Sequence, residues 1–308
     1  MDRLDAMRVF VTTIDEGSLA AAGRRLGKSP AAVSRAIAGL EAHAGIQLLH
    51  RTTRALRLSD TGALYAETCR RVLAELDEAD RIAAGEGSAP RGTLSVTAPV
   101  VSGEEVLRPV VDAFLDTYPS VSLRLLLLDR PVNLIEEGID VALRIAQLPD
   151  SSLVALRVGE VRRLVVGAPA YLDTAPAITA PADLAAHRII SMSHFGQESW
   201  SFPPSGRHAA RVVSFAPRLV VNSVRASVAS AVEGHGLARV MSYQVAEQLR
   251  TGQLRCVLAE ADPEPLPVQI VTPAGRLAMP KVRAFADFAA PRLRARFAAL
   301  AMPETDGA

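Results

Sequence analysis

The sequence predicts an α/β protein in two parts. An N-terminal all-α head carries a winged helix-turn-helix and is followed by a long helix, and a larger α/β region makes up the rest. Three observations predict this. Two short helices with strong cap residues meet at a glycine turn within the first 45 residues. A proline-free amphipathic stretch then runs from Thr61 to about Ala84. Beyond a glycine-rich break at 85–92, strand and helix patterns alternate to the end of the chain.

The first helix is marked by Leu4, Met7, Phe10, Val11 and Ile14, apolar at three- and four-residue steps. Gly17 stops it, and Ser18 caps a short second helix with Leu19, Ala22 and Leu26 on one face. Gly27 ends that helix. Ser29-Pro30, a serine cap with proline at the first helical position, opens a third. Val33, Ile37, Leu40 and Ala44 form its inner face, and Ser29, Ala31, Ala32, Ser34, Arg35 and Ala38 point outward. A helix entering the major groove needs small residues near its start for close approach, and hydroxyls or arginine to reach phosphates and base edges. An ordinary helical hairpin, the alternative, would expose longer charged residues. After Gly45, Leu48-Leu49 and Leu56-Arg57-Leu58 flank a basic turn and read as a β-hairpin wing, with a solvated surface loop as the alternative.

Charge is segregated in the same region. From Ser18 to Leu58 seven basic residues face one acid, Glu41, whereas from Ser59 to Ala89 seven acids face three arginines. A basic segment beside an acidic helix is a footprint for polyanion binding that the whole-chain charge of +1 conceals. Candidate DNA contacts are Ser18, Lys28, Ser29, Pro30, Ala31, Ala32, Ser34 and Arg35 on the helices, with Arg51, Thr53, Arg54 and Arg57 on the wing.

The segment from Met1 to about Gly62 resembles the N-terminal domain of LysR-type transcriptional regulators. The matching residues include Gly17-Ser18-Leu19-Ala20-Ala21-Ala22, Ser29-Pro30-Ala31-Ala32-Val33-Ser34-Arg35, Leu40-Glu41, Arg51-Thr52-Thr53-Arg54 and Thr61-Gly62. One departure is Ala36, where that family often has glutamine, a side chain able to read bases. By this resemblance the helix carrying Leu64, Thr68, Val72, Leu76, Ala79 and Ala83 is the linker through which such proteins dimerise. With no partner in the head except the short helices, it is expected to pair with its copy rather than pack on its own chain.

The remaining two thirds read as strands at Thr93–Thr97, Val121–Leu128, Val141–Ile145 and Val268–Thr272. Helices are expected at Glu105–Tyr118, Val132–Glu137, near Ala182, at Val224–Glu233, Tyr243–Arg250 and about Pro280–Leu300. This order argues for a largely parallel sheet. Leu134-Ile135-Glu136-Glu137-Gly138-Ile139-Asp140-Val141-Ala142-Leu143-Arg144-Ile145 and Gly234-His235-Gly236-Leu237-Ala238 resemble the same family's effector domain, similar in fold to type II periplasmic binding proteins. The resemblance implies a DNA-binding domain at 1–59 (helix-turn-helix about 19–38) and a linker helix at 60–88. A two-lobed effector domain follows at 91–308, with lobe I at 91–162 and 267–308 and lobe II at 163–266.

Ligands in such sheets sit at strand carboxyl ends, where helix N-termini offer free amides to an anion. The effector candidates are therefore Pro99, Val100, Ser102, Asp129 and Arg144 from one lobe, and Ser193, His194, Asn222 and Ser223 from the other. Plain helix caps (Ser102, Ser223), an ion pair of Arg144 with Asp140 or Glu137, and a loop histidine (His194) are the alternatives.

Composition narrows the class further. A chain of 308 residues, 49% hydrophobic and 22% charged with mean hydropathy +0.19, buries a substantial core and is not mainly disordered. No apolar run reaches the ~18 residues of a membrane span, and the first residues lack the basic-then-apolar order of a signal peptide, so the expected location is the cytoplasm. Cys69 and Cys256 lack partners at zinc spacing, and no phosphate loop, Gly-x-Ser-x-Gly elbow or histidine cluster is present. The expectation is a regulator without cofactor, metal or catalytic residues. Its expected partners are double-stranded promoter DNA, a small-molecule effector and further copies of itself, as a dimer or tetramer.

Overall fold

Serine caps and glycine stops set the helices of the N-terminal unit, Met1–Ser88. Helix α1 spans Arg3–Asp15, α2 Leu19–Leu26 and α3 Pro30–Ala44. The Ser18 hydroxyl accepts the Ala21 N–H at 3.1 Å and the Ser29 hydroxyl accepts the Ala32 N–H at 3.2 Å. Gly27 adopts the left-handed backbone (φ 63°) that turns α2 into α3, and the Lys28 N–H closes on the Gly23 carbonyl at 2.8 Å. Phe10, Val33, Ile37, Leu40 and Leu48 fill the core between these helices. The coordinates come from a computed structural model that describes residues 2–51, 56–83, 89–147, 153–192, 199–202, 211–261 and 265–301.

Strand β1 (Leu49–Arg51) pairs antiparallel with β2 (Leu56–Leu58), Leu49 opposite Leu58, as the expected wing. Glu41, the lone acid of the basic segment, holds its start by accepting the Leu48 and Leu49 N–H groups at 2.9 and 3.2 Å. Helix α4 (Asp60–Ala83) follows. The Ser59 hydroxyl accepts the Gly62 N–H at 2.9 Å and donates to the Gln47 carbonyl at 2.6 Å, tying α4 to the wing. Within its own chain the helix packs against α1, one of the short helices of the head. Ala66, Cys69 and Leu73 are buried in the core of the unit, against α1. The Leu64–Thr68–Val72–Leu76 stripe lies on a different face, with Leu64 70% exposed.

The second unit, Ala89–Ala308, begins with β3 (Gly92–Ala98), α5 (Val100–Ser102), a π-helical turn (Gly103–Leu107) and α6 (Arg108–Thr117). Strands β4 (Val121–Leu127), β5 (Val141–Ile145), β6 (Leu153–Val161) and β7 (Arg163–Gly167) lead to α7 (Pro169–Leu172). Then come β8 (Ile189–Met192), β9 (Ser199–Phe202), β10 (Arg211–Ser214), β11 (Leu219–Val221), α8 (Val224–Val232) and β12 (Leu237–Met241). Helix α9 (Ala246–Arg250), β13 (Arg255–Val257), β14 (Leu266–Pro273) and α10 (Pro280–Ala299) complete it.

One sheet has the order β4-β3-β5-β14-β6 and a second has β11-β8-β12-β7-β13. Each is the centre of a lobe. Phe114, Leu143, Phe285 and Leu293 pack the first, while Val166, Val240 and Leu254 on one side and Leu184, Trp200 and Leu237 on the other pack the second.

Neither sheet is largely parallel. β3 runs parallel to β4 and β5, but β14 is antiparallel to both β5 and β6. In the second sheet β8 runs parallel to β11 and β12, and β7 is antiparallel to β12 and β13. The reversed strands flank the points where the chain changes lobe, β6 into β7 and β13 into β14. Crossing between lobes rather than returning through a helix reverses their direction.

Two helix expectations also change. Val132–Glu137 is a turn. The Asn133 carbonyl accepts the Glu137 N–H at 3.0 Å, its side chain accepts the Ile135 N–H at 3.2 Å, and left-handed Gly138 (φ 66°) diverts the chain. The helix expected from Glu105 starts at Val100 and is interrupted by the π-helical turn.

Candidate nucleic-acid interface and interlobe cleft

On the head, α3 turns its small residues outward as its pattern requires. Ser29, Pro30, Ala31, Arg35 and Ala38 are exposed, while Ala32 and Ser34 are half-buried. Ala36 is 4% exposed and belongs to the core. The departure from the glutamine of the resembling family therefore falls on the inner face of α3.

The basic residues divide by their partners. Arg25 pairs with Glu16 at 2.8 Å, Lys28 with Asp5 at 3.3 Å, Arg8 with Asp77 at 3.1 Å and Arg70 with Asp15 at 2.5 Å. Arg24, Arg35 and Arg57 are exposed and make no ion pair among the described residues. Ser18 and Ser29 act as caps, so each hydroxyl is already engaged with a backbone amide. Arg57 pairs in register with His50 on the wing. Thr53 and Arg54 lie outside the described residues, as does the Arg51 side chain.

In the second unit a cleft of about 490 Å³ opens between the two sheets. Pro99, Asp129 and Ile145 line it from the first lobe. Arg163, Ser191, Met192, Trp200, Arg239 and Met241 line it from the second, with Val224, Tyr243 and Gln244 at the junction. Among the expected effector residues, Pro99 and Asp129 line the cleft. Val100, Ser102, Arg144, Asn222 and Ser223 do not.

Physical reasons account for each exclusion. Asp129 accepts the Val100 N–H at 3.0 Å, so the start of α5 already holds a carboxylate of its own chain. Ser102 is fully buried and donates to the Pro99 carbonyl at 3.1 Å. Arg144 alternates with cleft-lining Ile145 along β5 and so points the other way, donating to the Val132 carbonyl at 3.4 Å. Its carboxylate alternatives are engaged elsewhere, Asp140 with Arg276 and Glu137 with Arg130. Burial draws the Arg144 guanidinium below its ordinary pKa, with the Glu137 charge opposing. Asn222 and Ser223 are exposed, Ser223 capping Ala226 N–H at 3.4 Å. Ser193 and His194 lie outside the described residues.

Sequence reasoning missed Arg163, Arg239, Trp200, Tyr243 and Gln244. The available signal was an arginine next to apolar strand residues, at the start of Arg163-Leu164-Val165-Val166 and within Leu237-Ala238-Arg239-Val240. Tyr243 reaches from the end of β12 into the first lobe's core, its ring 6.2 Å from that of Phe297. Burial pushes its hydroxyl up to about 12, opposed by the hydrogen bond that Gln244 donates at 3.1 Å and by hydrogen bonding with Ser102. The tyrosine is neutral across the physiological range and ties the lobes at the floor of the cleft. Across the lobes, the Arg225 guanidinium meets Glu104 at 2.7 Å and Glu105 at 3.0 Å on the π-helical turn.

Comparison with known proteins assigns a family model to each of the two units. The profile "Bacterial regulatory helix-turn-helix protein, lysR family" matches residues 4–63, and "LysR substrate binding domain" matches residues 87–294. An HTH-type transcriptional regulator of Xanthomonas campestris is 34% identical over 290 residues, covering 92% of this chain and 84% of that protein. An HTH-type transcriptional repressor of Pseudomonas aeruginosa is 31% identical, covering 94% and 91% respectively. CrgA, a LysR-type transcriptional regulator from Neisseria meningitidis, superposes with a TM-score of 0.58 at 28% identity, covering 94% of this chain and 98% of its own.

Proposed function

Because this chain belongs to the LysR family of transcriptional regulators, we propose that it binds a dyad-symmetric promoter site as a dimer or tetramer and answers to a small molecule in the interlobe cleft. It is a regulator of transcription and not an enzyme. The observation that carries the DNA reading is the outer face of α3 beside the wing, where Ala31 and Arg35 are exposed and Arg35 makes no ion pair among the described residues. Ala31, Ala32, Ser34 and Arg35 read base edges. Ser18, Lys28, Ser29, Pro30, Arg51, Thr53, Arg54 and Arg57 hold the phosphate backbone or set the close approach.

The Leu64–Thr68–Val72–Leu76 stripe of α4, left over once Ala66, Cys69 and Leu73 have packed inward, joins two copies. A two-fold dimer sets its recognition helices about one DNA turn or a multiple apart, ~34–36 Å per turn. Among the described residues no helix is long and apolar enough to cross a membrane, which suits a DNA-binding protein of the cytoplasm. A ligand that favours one closure of the two lobes shifts the regulator between states in proportion to its difference in affinity for them.

Fluorescence anisotropy on DNA from immediately upstream of its own gene, against scrambled DNA at two salt concentrations, tests this. A preference of ~10³-fold or more for the upstream DNA is expected. A folded protein that binds neither DNA refutes the reading.

A further inference from the structure

A third connection joins the lobes besides the two places where strands cross, and it begins at the end of β12. The Ser242 N–H donates to the Arg162 carbonyl at 2.7 Å, and the Arg162 N–H donates to the Ser242 hydroxyl at 3.1 Å. Arg162 stands between β6 and β7, so this crossing is clamped through both of its backbone groups. The next residue, Tyr243, leaves the second lobe. It is 3% exposed and belongs to the core of the first, against which Met241 and Val224 also pack.

Counting protons gives the connection a direction. Gln244 Oε1 accepts the Met241 N–H at 2.8 Å, which fixes the carboxamide and makes Nε2 the donor to the Tyr243 hydroxyl at 3.1 Å. The Ser102 hydroxyl donates its one proton to the Pro99 carbonyl at 3.1 Å, so it accepts from Tyr243. One chain of donors therefore runs from lobe to lobe, from Gln244 through Tyr243 and Ser102 to Pro99. It ends beside the π-helical turn Gly103–Leu107.

This chain stands between two cavities. The cleft of about 490 Å³ lies on one side. On the other, a groove of about 350 Å³ is lined by Val101 and Glu105 of the first lobe and by Arg225, Gln248 and Gln253 of the second. Val224 and Gln244 line both cavities and form the partition between them. We propose that the lobes rock on this partition with Tyr243 as the pivot, so that closing the cleft opens the groove. This rests on the regulator reading and supplies the movement that its ligand would bias. Arg225 sets the resting position. Its guanidinium spans the groove to Glu104 at 2.7 Å and Glu105 at 3.0 Å, holding the groove shut and the cleft open.

The test needs neither DNA nor ligand. Trp200, the single tryptophan, lines the cleft and is 5% exposed, so its quenching by acrylamide in the full-length protein follows cleft opening. Arg225→Ala is expected to lower the quenching constant by up to about fivefold, the most that an exposed ion pair contributes. Wild type in 1 M salt should move the same way, and the variant should not. On a free two-strand hinge, losing a contact between the lobes would loosen them and raise quenching. That result overturns the proposal, as does no change. Tyr243→Phe keeps the buried ring but breaks the donor chain, and in that background Arg225→Ala should no longer lower quenching. A decrease that survives Tyr243→Phe overturns the pivot. If that variant does not fold, Gln244→Met removes the first donor of the chain and is read the same way. DNA anisotropy on the same preparation separates the two readings, because a failed quenching test with intact DNA binding overturns the pivot and leaves the regulator standing.

Discussion

The turn of the helix-turn-helix offers a quantitative test, because two glycines near it should respond oppositely to the same substitution. Gly23 lies in α2, and a methyl added there would sit 2.5 Å from the Lys28 carbonyl oxygen and 3.5 Å from the Pro30 nitrogen. Both are backbone atoms, so the turn itself would have to yield by about 0.5 Å to reach the 3.0 Å floor of real contacts. Overpacking of this kind costs roughly 1–3 kcal/mol. Gly39, inside α3, has nothing within 4 Å of the same methyl, and its backbone is ordinary helix. Each glycine-to-alanine change in a helix gains about 1 kcal/mol from propensity. The gain cancels between the two variants, so Gly23→Ala should be less stable than Gly39→Ala by the packing cost alone, roughly 1–3 kcal/mol. Native-state hydrogen exchange at the Ile37 and Leu40 amides measures this in the full-length protein without contribution from the second unit. Gly39→Ala should slow exchange relative to wild type. If the two variants exchange alike, Gly23 is not a required close approach and the turn is softer than its geometry states.

Further outcomes follow from the charges. Arg35→Ala should weaken operator binding more than Lys28→Ala, whose ammonium is 3.3 Å from Asp5, by ~1–3 kcal/mol on the cognate sequence if Arg35 reads a base. Equal loss on random DNA, with the salt slope reduced by ~0.9, would instead make Arg35 a phosphate clamp. Burial lowers the His187 pKa from 6.5, with Asp183 opposing, so the unfolded chain takes up that proton at higher pH than the folded one. Its contribution is therefore complete above about pH 6.5 and is lost as the pH falls through the folded value. A thermal midpoint that drops on acidification in wild type, and less so in His187→Gln, is expected; parallel curves would refute it. Arg225→Ala should cost no more than about 1 kcal/mol, since the pair with Glu104 and Glu105 is exposed, and the difference should vanish in 1 M salt.

What the sequence revealed follows the range of the interactions involved. Ser18, Gly27, Ser29 and Pro30 act within a few residues of themselves, so the helices of the head and their turn could be read directly. The wing was legible for the same reason, through two short apolar pieces around a basic turn. Sheet order was not, because β14 chooses β5 and β6 as neighbours across more than a hundred residues, and no local pattern records that choice. Val132–Glu137 has helical spacing but only one turn of it before Gly138, too short to outweigh the Asn133 side chain competing for the same amides. For α4, periodicity found one apolar stripe where the helix has two, and the one it missed, Ala66, Cys69 and Leu73, is the one the chain buries.

The cleft failed to appear in the sequence for a sharper reason, which three arginines make plain. Arg276 meets the buried Asp140 carboxylate, whose other oxygen accepts the Ser95 N–H at 2.8 Å; that charge is matched and structural. Arg144, in the motif that most resembled the family, faces away from the cleft and donates to a backbone carbonyl. Arg163, in no motif, is half-buried and has no partner among the described residues. In one dimension nothing separates the roles of the three, each a basic residue beside apolar ones. They differ in the counter-charge that folding brings to each, and a buried charge is tolerated only when something neutralises it. Where the chain itself supplies the neutralising group, as Asp140 does for Arg276, the arginine holds the fold. Where it supplies none among the described residues, as at Arg163, the guanidinium is left lining the open cleft.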